Sequence, residues 1–245
     1  MVNSAADTAL ARSALRSCAL FEALDDVTLA LVADAMRERR YRRGEVIFHV
    51  DDPGDALFVV GAGEVKVVLP SDESAEPVIL TTIGRGGFFG ELALLDGRPR
   101  SATAIAILSV QARVLRRDAF DRLVDSEPVL RRAMFAALAG EIRRLTGHVE
   151  DLHFLDLPGR LARHLLRTAA GAASNEAGDR DDRLPPGPVR LAWPYTQSEL
   201  AGMIGGSRQS VNRLLADFVA QDLLRFEGDE LVIPDPAGLA QAVSR

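Results

Sequence analysis

The stretch GGFFGELALLDGRPRSATA, residues 86–104, sets the carboxylate of Glu91 nine positions ahead of the guanidinium of Arg100 in a loop rich in glycine. Gly86, Gly87 and Gly90 allow positive φ or a close approach of the backbone. GELALL predicts one helical turn, whose free N–H groups open from Gly90 and favour an anion. Arg100 adds a fork of donors that matches a phosphate, Ser101 adds a hydroxyl, and Glu91 accepts hydrogen bonds from groups such as ribose hydroxyls. The set suits a sugar phosphate. It equally suits a Glu91–Arg100 ion pair that closes a turn, and the spacing alone leaves both readings open.

A second constellation lies near the C-terminus. TQSE, residues 196–199, is a capping box in which Thr196 accepts from the Glu199 N–H and Glu199 reaches back to Thr196. It opens a helix carrying Leu200, Met203 and Ile204, and GGS ends that helix. Ser207 caps a second helix, RQSVNRLLADFVAQ, with Val211, Leu214, Leu215 and Phe218 turned inward and Arg208, Gln209, Asn212 and Arg213 projecting from its beginning. LLRFEGDELVIPD follows as two strands around Gly228. Two such helices form either a helix-turn-helix, with those polar side chains facing base edges, or an ordinary packed pair.

The rest of the chain must position these groups. Residues 8–40 show helical spacing, as in LDDVTLALVADAMRERR, with Asp25 or Asp26 as the cap. From Arg42 to about Leu115, short runs (EVIFHV, ALFVV, EVKVVL, PVILTTI, ATAIAIL, QARVL) alternate with Gly, Pro, Asp and Ser clusters, the signature of a sandwich or jelly roll. Residues 117–126 predict a short helix, and a long one runs from about Glu127 to His153. On it, Leu138, Ile142, Leu145, Val149 and Leu152 step by 4, 3, 4 and 3. That seam favours a two-helix dimer interface, with a helix on its own core as the alternative. A further helix begins after a cap at Asp156, and the polar, Pro- and Gly-rich residues 172–188 predict a surface loop.

The chain of 245 residues, 47% hydrophobic and 26% charged, is long enough for two domains. The net charge of −6 argues against a protein that coats nucleic acid indiscriminately, and residues 158–245, with 10 Arg against 11 Asp and Glu, are close to neutral. Cys18 is the single cysteine, which excludes a disulfide framework, a four-thiolate zinc site and an all-cysteine iron–sulfur cluster. His49, His148, His153 and His164 show no ligand pairing, and no metal is expected. A jelly-roll metal enzyme needs His and carboxylate ligands clustered in the barrel, where His49 is the only histidine, so catalysis is not expected. No apolar run of 18 residues occurs, which points to a soluble, cytoplasmic protein without a membrane partner.

FFGELALLDGRPRSATA resembles the phosphate-binding cassette of cyclic-nucleotide-binding domains, and YRRGEVIFHVDDPGDALFVVGAGEVKVV resembles the barrel strands that lead into it. With the C-terminal motif, residues 18–233 resemble bacterial transcription regulators of the CRP/FNR family. The resemblance implies an α+β chain: an N-terminal β jelly-roll domain over residues 1–126, a dimerisation helix and hinge over 127–155, and a winged helix-turn-helix domain over 156–245. It implies that Glu91 holds the ribose 2′-hydroxyl, that Arg100 and Ser101 hold the cyclic phosphate, and that the backbone of Gly90, Glu91 and Leu92 takes the remaining oxygens.

Relatives that sense cAMP carry a Thr and a small polar residue on the long helix where Leu145 and Thr146 stand here. Leu145 in place of that Thr leaves base selection open, so the effector expected is a cyclic nucleotide, cAMP first, with cGMP and cyclic di-GMP as alternatives. Thr196, Ser207, Arg208, Gln209, Ser210, Asn212 and Arg213 match the DNA-contacting region. Many relatives carry Glu where Gln209 stands, and since glutamine pairs with adenine whereas glutamate accepts from cytosine, no relative's half-site is transferred. The implied partners are palindromic promoter DNA, a second copy of the chain through the long helix, and RNA polymerase. The implied mechanism is nucleotide gating through a hinge at Phe154 to Pro158, with ligand-independent DNA binding as the alternative.

Overall fold

The computed structural model describes residues 15–69, 77–177 and 187–242, the side chains of 171–177 excepted. The chain divides into two compact units, Met1–Arg144 and Leu145–Arg245.

In the first unit α1 (Asp26–Ala35) starts where Asp25 accepts from the Thr28 N–H at 2.7 Å, which settles the cap between the two aspartates. The helix ends sooner than its spacing predicts. Arg37–Tyr41 form strand β1 instead, paired antiparallel with β8 (Val110–Arg116). RERRY has no apolar alternation, so only its cross-strand partner reveals it. Residues 8–14 of the expected helix lie outside the described residues.

The strands β2 (Val46–Phe48), β3 (Ala56–Ala62), β4 (Val65–Leu69), β5 (Val78–Ile83) and β7 (Thr103–Ala106) follow the predicted runs, while β6 (Phe88–Phe89) forms within the glycine loop, where the sequence predicts no strand. They form two four-stranded antiparallel sheets, ordered β1-β8-β3-β6 and β2-β7-β4-β5, the layout of a jelly roll. Strand β3 is apolar without alternation because both of its faces are covered. Phe58 and Val60 join Phe89, Ala104 and Val110 in one cluster, while Leu57 and Val59 join Leu29, Phe120, Leu130 and Met134 in another.

A six-residue helix, α2 (Glu91–Asp96), interrupts the strands before β7. Helix α3 (Arg117–Ser126) follows β8, and the long α4 (Pro128–Phe154) carries the chain from the first unit into the second. The inner face of α4 is a helix on its own core, and the outer face leaves most of the predicted seam uncovered. Leu130 and Met134 are buried in the unit's own core, whereas Ile142, Leu145, Val149 and Leu152 are exposed.

The second unit contains the end of α4, then α5 (Leu157–Ala177), β9 (Val189–Ala192), α6 (Gln197–Ile204), α7 (Arg208–Ala220), β10 (Arg225–Glu227), β11 (Glu230–Ile233) and α8 (Pro236–Ala242). Asp156 accepts from the Gly159 N–H at 2.9 Å, the expected cap of α5. That helix continues through residues 172–177, which composition assigns to a loop; residues 178–186 lie outside the described residues. Strand β9 joins the hairpin around Gly228 in a three-stranded sheet, ordered β10-β11-β9. Among the described residues no helix is long and apolar enough to cross a membrane.

Candidate functional site

In the first unit the glycine loop forms a cradle around Arg100. Gly90 takes a left-handed conformation, φ 82° and ψ 7°, as the cap of α2. A Cβ there would lie 2.6 Å from Arg100 Nη1 and 3.1 Å from the Ala56 carbonyl oxygen, so only glycine fits. The Glu91–Arg100 ion pair, the alternative reading of this loop, does not form. Arg100 Nη1 donates to the Gly90 carbonyl at 2.7 Å and Nη2 to that of Ala56 at 2.9 Å, and the guanidinium lies over Phe48 with its carbon 4.3 Å from the ring centre.

Arg100 is only 4% exposed, and its Nε has no hydrogen-bond partner. Burial pulls its pKa below the ordinary guanidinium value, against the opposing pull of Asp55 and Glu91. A buried cation bound only to neutral carbonyls is incompletely compensated, a condition an anion relieves. The half-buried Glu91 is pushed above the usual carboxylate range by burial and, to a smaller degree, by Glu141, against a hydrogen bond from its own backbone N–H and the charge of Arg100. Leu92 and Ser101 are exposed.

The support of this cradle has no signature in sequence. Arg117 donates to the carbonyls of Gly54 (2.7 Å), Ala93 (2.8 Å) and Leu94 (3.1 Å), tying the end of α2 to the loop before β3. A Cβ at Gly54 would lie 2.1 Å from that of Ala93. Loop residues 51–52 also exchange backbone hydrogen bonds with Arg100, both at 2.9 Å. The PGD sequence at Pro53–Asp55 marks a turn, but nothing local marks its contact with α2.

In the second unit Leu145 and Thr146 are exposed on α4. The capping box of α6 is complete: Thr196 accepts from the Glu199 N–H at 3.2 Å, and Glu199 accepts from the Thr196 N–H at 2.8 Å. Gly205, φ 67°, closes α6, and Ser207 caps α7 by accepting from the Ser210 N–H at 3.1 Å. Val211, Leu215 and Phe218 are buried and Leu214 is half-buried, while Arg208, Gln209, Asn212 and Arg213 are exposed at the start of α7, as the sequence predicts. Gln197 donates to the Asn212 side-chain oxygen at 2.9 Å, pinning the two helices together. The hairpin presents Glu227, Asp229 and Glu230, and Arg190 pairs with Glu227 and Glu230.

The sequence model of the cyclic nucleotide-binding domain matches residues 38–127, and that of the Crp-like helix-turn-helix domain matches residues 159–242. The CRP-like cAMP-activated global transcriptional regulator of Mycobacterium tuberculosis is 31% identical over 227 residues, covering 93% of this chain and 97% of that protein. FixK2 of Bradyrhizobium japonicum superposes with a TM-score of 0.70 at 22% identity, over 84% of this chain and 96% of its own. The c-di-GMP responsive global regulator CLP of Xanthomonas campestris gives 0.69 at 23%, over 86% and 100%. Those two structures share the fold, while identity to the mycobacterial regulator along almost the whole of both chains, with the two matched domains, goes further: this chain belongs to the CRP/FNR family of ligand-gated, DNA-binding transcription regulators and is not an enzyme.

Proposed function

We propose that the chain works as a homodimer that grips palindromic promoter DNA when a cyclic nucleotide occupies its jelly roll. The observation that carries the nucleotide reading is the buried Arg100 guanidinium, unpartnered at Nε and beside a position only glycine can fill. Arginine has five N–H donors, and two carbonyl bonds leave capacity for phosphate oxygens. In this reading Arg100 and Ser101 hold the cyclic phosphate, the backbone of Gly90, Glu91 and Leu92 takes its remaining oxygens, and the Glu91 carboxylate accepts from the ribose. Leu145 and Thr146 are assigned to the base.

The first nucleotide expected is cAMP, in keeping with the name of the mycobacterial relative; the c-di-GMP response of CLP keeps the dinucleotide in the comparison. On the DNA side Arg208, Gln209 and Arg213 are assigned to base edges, and Thr196, Ser207, Ser210 and Asn212 to the helix starts that seat the motif against the duplex. RNA polymerase is the further partner expected of a promoter-bound regulator. The exposed seam of α4 supports the dimer.

Calorimetry with cAMP, cGMP and cyclic di-GMP, on the wild type and on Arg100→Leu, tests the reading. At least one nucleotide should bind the wild type saturably, tighten its hold on a palindromic duplex, and bind the variant about 10–100-fold more weakly, the worth of a charge-assisted hydrogen bond. Equal binding by the folded variant removes Arg100 from the site, and no binding by the wild type removes nucleotide gating.

A further inference from the structure

The junction between α4 and α5 is where the expected hinge lies, and it is crossed by an ion triad in which a buried carboxylate meets two half-exposed arginines. Asp151, 5% exposed near the end of α4, accepts from Arg163 Nη1 at 2.5 Å through one oxygen and from Arg167 Nη1 at 2.8 Å through the other. The two arginines stand four apart on α5 and so share one face of it. Only Leu155 and Asp156 separate the helices, and Asp156 is spent on capping α5.

The same junction seats the helix-turn-helix turn. A Cβ at Gly205 would lie 3.4 Å from the Leu152 side chain, and one at Gly206 would lie 2.9 Å from that of Leu157. Arg160 Nη2 donates to the Gly205 carbonyl at 3.5 Å. The turn that separates α6 from α7 therefore rests on the end of α4 and the beginning of α5.

We propose that Asp151 is a positioning residue for DNA recognition: it bolts the last turns of α4 to α5 and so fixes the recognition helix relative to the dimer seam. The inference rests on the palindrome-binding dimer proposed above. Asp151 lies roughly 120° around α4 from the line of Leu145, Val149 and Leu152, so one face of the helix meets the second copy while another is bolted to α5.

The cohesion of this unit does not need the triad. Leu161 and Leu165 on α5, with Leu200 and Val211, are fully buried and supply an apolar core. What an apolar contact does not supply is direction, since it allows two helices to slide and rotate with little penalty. A carboxylate with one guanidinium on each oxygen is satisfied in one geometry, and its buried charge makes departure costly. Two buried polar atoms on the same helix, Arg160 Nε and His164 Nε2, lack partners. Each is a cost that this arrangement of α5 carries.

The test compares Asp151→Asn with the wild type on duplexes that the wild type selects from a random-sequence pool. Three are used: the selected palindrome, the palindrome with its spacer changed by one base pair, and a single half-site, each with and without cAMP. The wild type should discriminate sharply between spacers. Asp151→Asn should bind the palindrome roughly 10-fold or more weakly, lose the spacer preference, and keep its half-site affinity and its dimer mass. A purely structural role would lower half-site and palindrome binding together, and that pattern overturns the proposal. So does an unchanged spacer preference.

If Asp151→Asn does not fold, the same measurements are made on Arg163→Gln combined with Arg167→Gln, whose side chains are half-exposed, with the same criteria. A wild type that selects only half-sites overturns the palindromic dimer, and the bolt with it. A wild type that selects palindromes beside an indifferent Asp151→Asn overturns the bolt alone.

Discussion

Glu91 and Arg100 carry opposite charges in one loop, and burial shifts each toward its neutral form while neither neutralises the other. Such a loop is built at the expense of stability. The folded-state pKa of Glu91 lies above its unfolded value, so the native state holds the proton more firmly, and stability falls as pH rises from the ordinary carboxylate value through the raised one. Above the raised value that loss is fully present. Glu91→Gln should therefore stabilise the ligand-free protein at pH 7, by up to about 1 kcal/mol, and weaken nucleotide binding, the trade expected where function holds an unfavourable charge in place. Thermal melts at pH 5 and 7.5 beside calorimetry read both effects, and a variant less stable than the wild type at pH 7 would contradict this account. The spacing of the two residues was legible in the sequence because the cassette is local. Their failure to pair was not, since the Ala56 carbonyl that competes for Arg100 lies 44 positions away. Arg117 escaped for the same reason: its three carbonyl partners are distant in sequence, and an arginine at the start of a helix carries no mark.

At the scale of elements, the features read correctly are those whose chemistry is closed within a few residues. The TQSE box, the Gly205 turn and the Ser207 cap are hydrogen-bonded as their residue types require. Features set by distant packing were missed: RERRY pairs as β1 only because β8 runs beside it, and α5 continues to Ala177 through residues that resemble a loop by composition. Helix α5 also carries an element-level sensitivity. His164 is half-buried with its Nε2 enclosed, and its pKa is pushed down to about 4 by burial first, then by the charges of Arg167 and His148. Its folded value lies below the ordinary 6.5, so the unfolded state binds the extra proton, and stability is full above about pH 6.5 and declines as pH falls toward 4. The loss by pH 4 is about 3 kcal/mol for this one group. Denaturant titrations between pH 7.5 and 4.5 should show His164→Leu with a shallower loss on acidification than the wild type; parallel curves would show that the imidazole does not set the slope.

For the whole molecule, the decisive surface is the outer face of α4. Phe135 is 72% exposed, Ile142 65% and Val149 59%, while Leu145 and Leu152 are exposed beside them. Phe135 lies three residues ahead of Leu138 and extends the predicted line by one further step, so the apolar positions run 135, 138, 142, 145, 149 and 152 with alternating gaps of 3 and 4. A lone surface helix has no reason to keep that period, whereas a pair of helices with 3.5-residue repeats keeps its seam closed by following it. Ile142→Asp combined with Val149→Asp should place two charges on each side of such a seam and yield monomers, while Leu130 and Met134 on the inner face continue to pack against the jelly roll. Analytical ultracentrifugation reads the mass, and melting reads the fold. Each monomer keeps its own Arg208, Gln209 and Arg213, so half-site binding should survive. The second half-site would then have to be captured from solution and not at the high local concentration that linkage provides, so affinity for a full palindrome should fall by about 100-fold or more. A double variant that remains dimeric would place the interface elsewhere, and one that is monomeric yet binds the palindrome as tightly as the wild type would show that the seam plays no part in reading DNA.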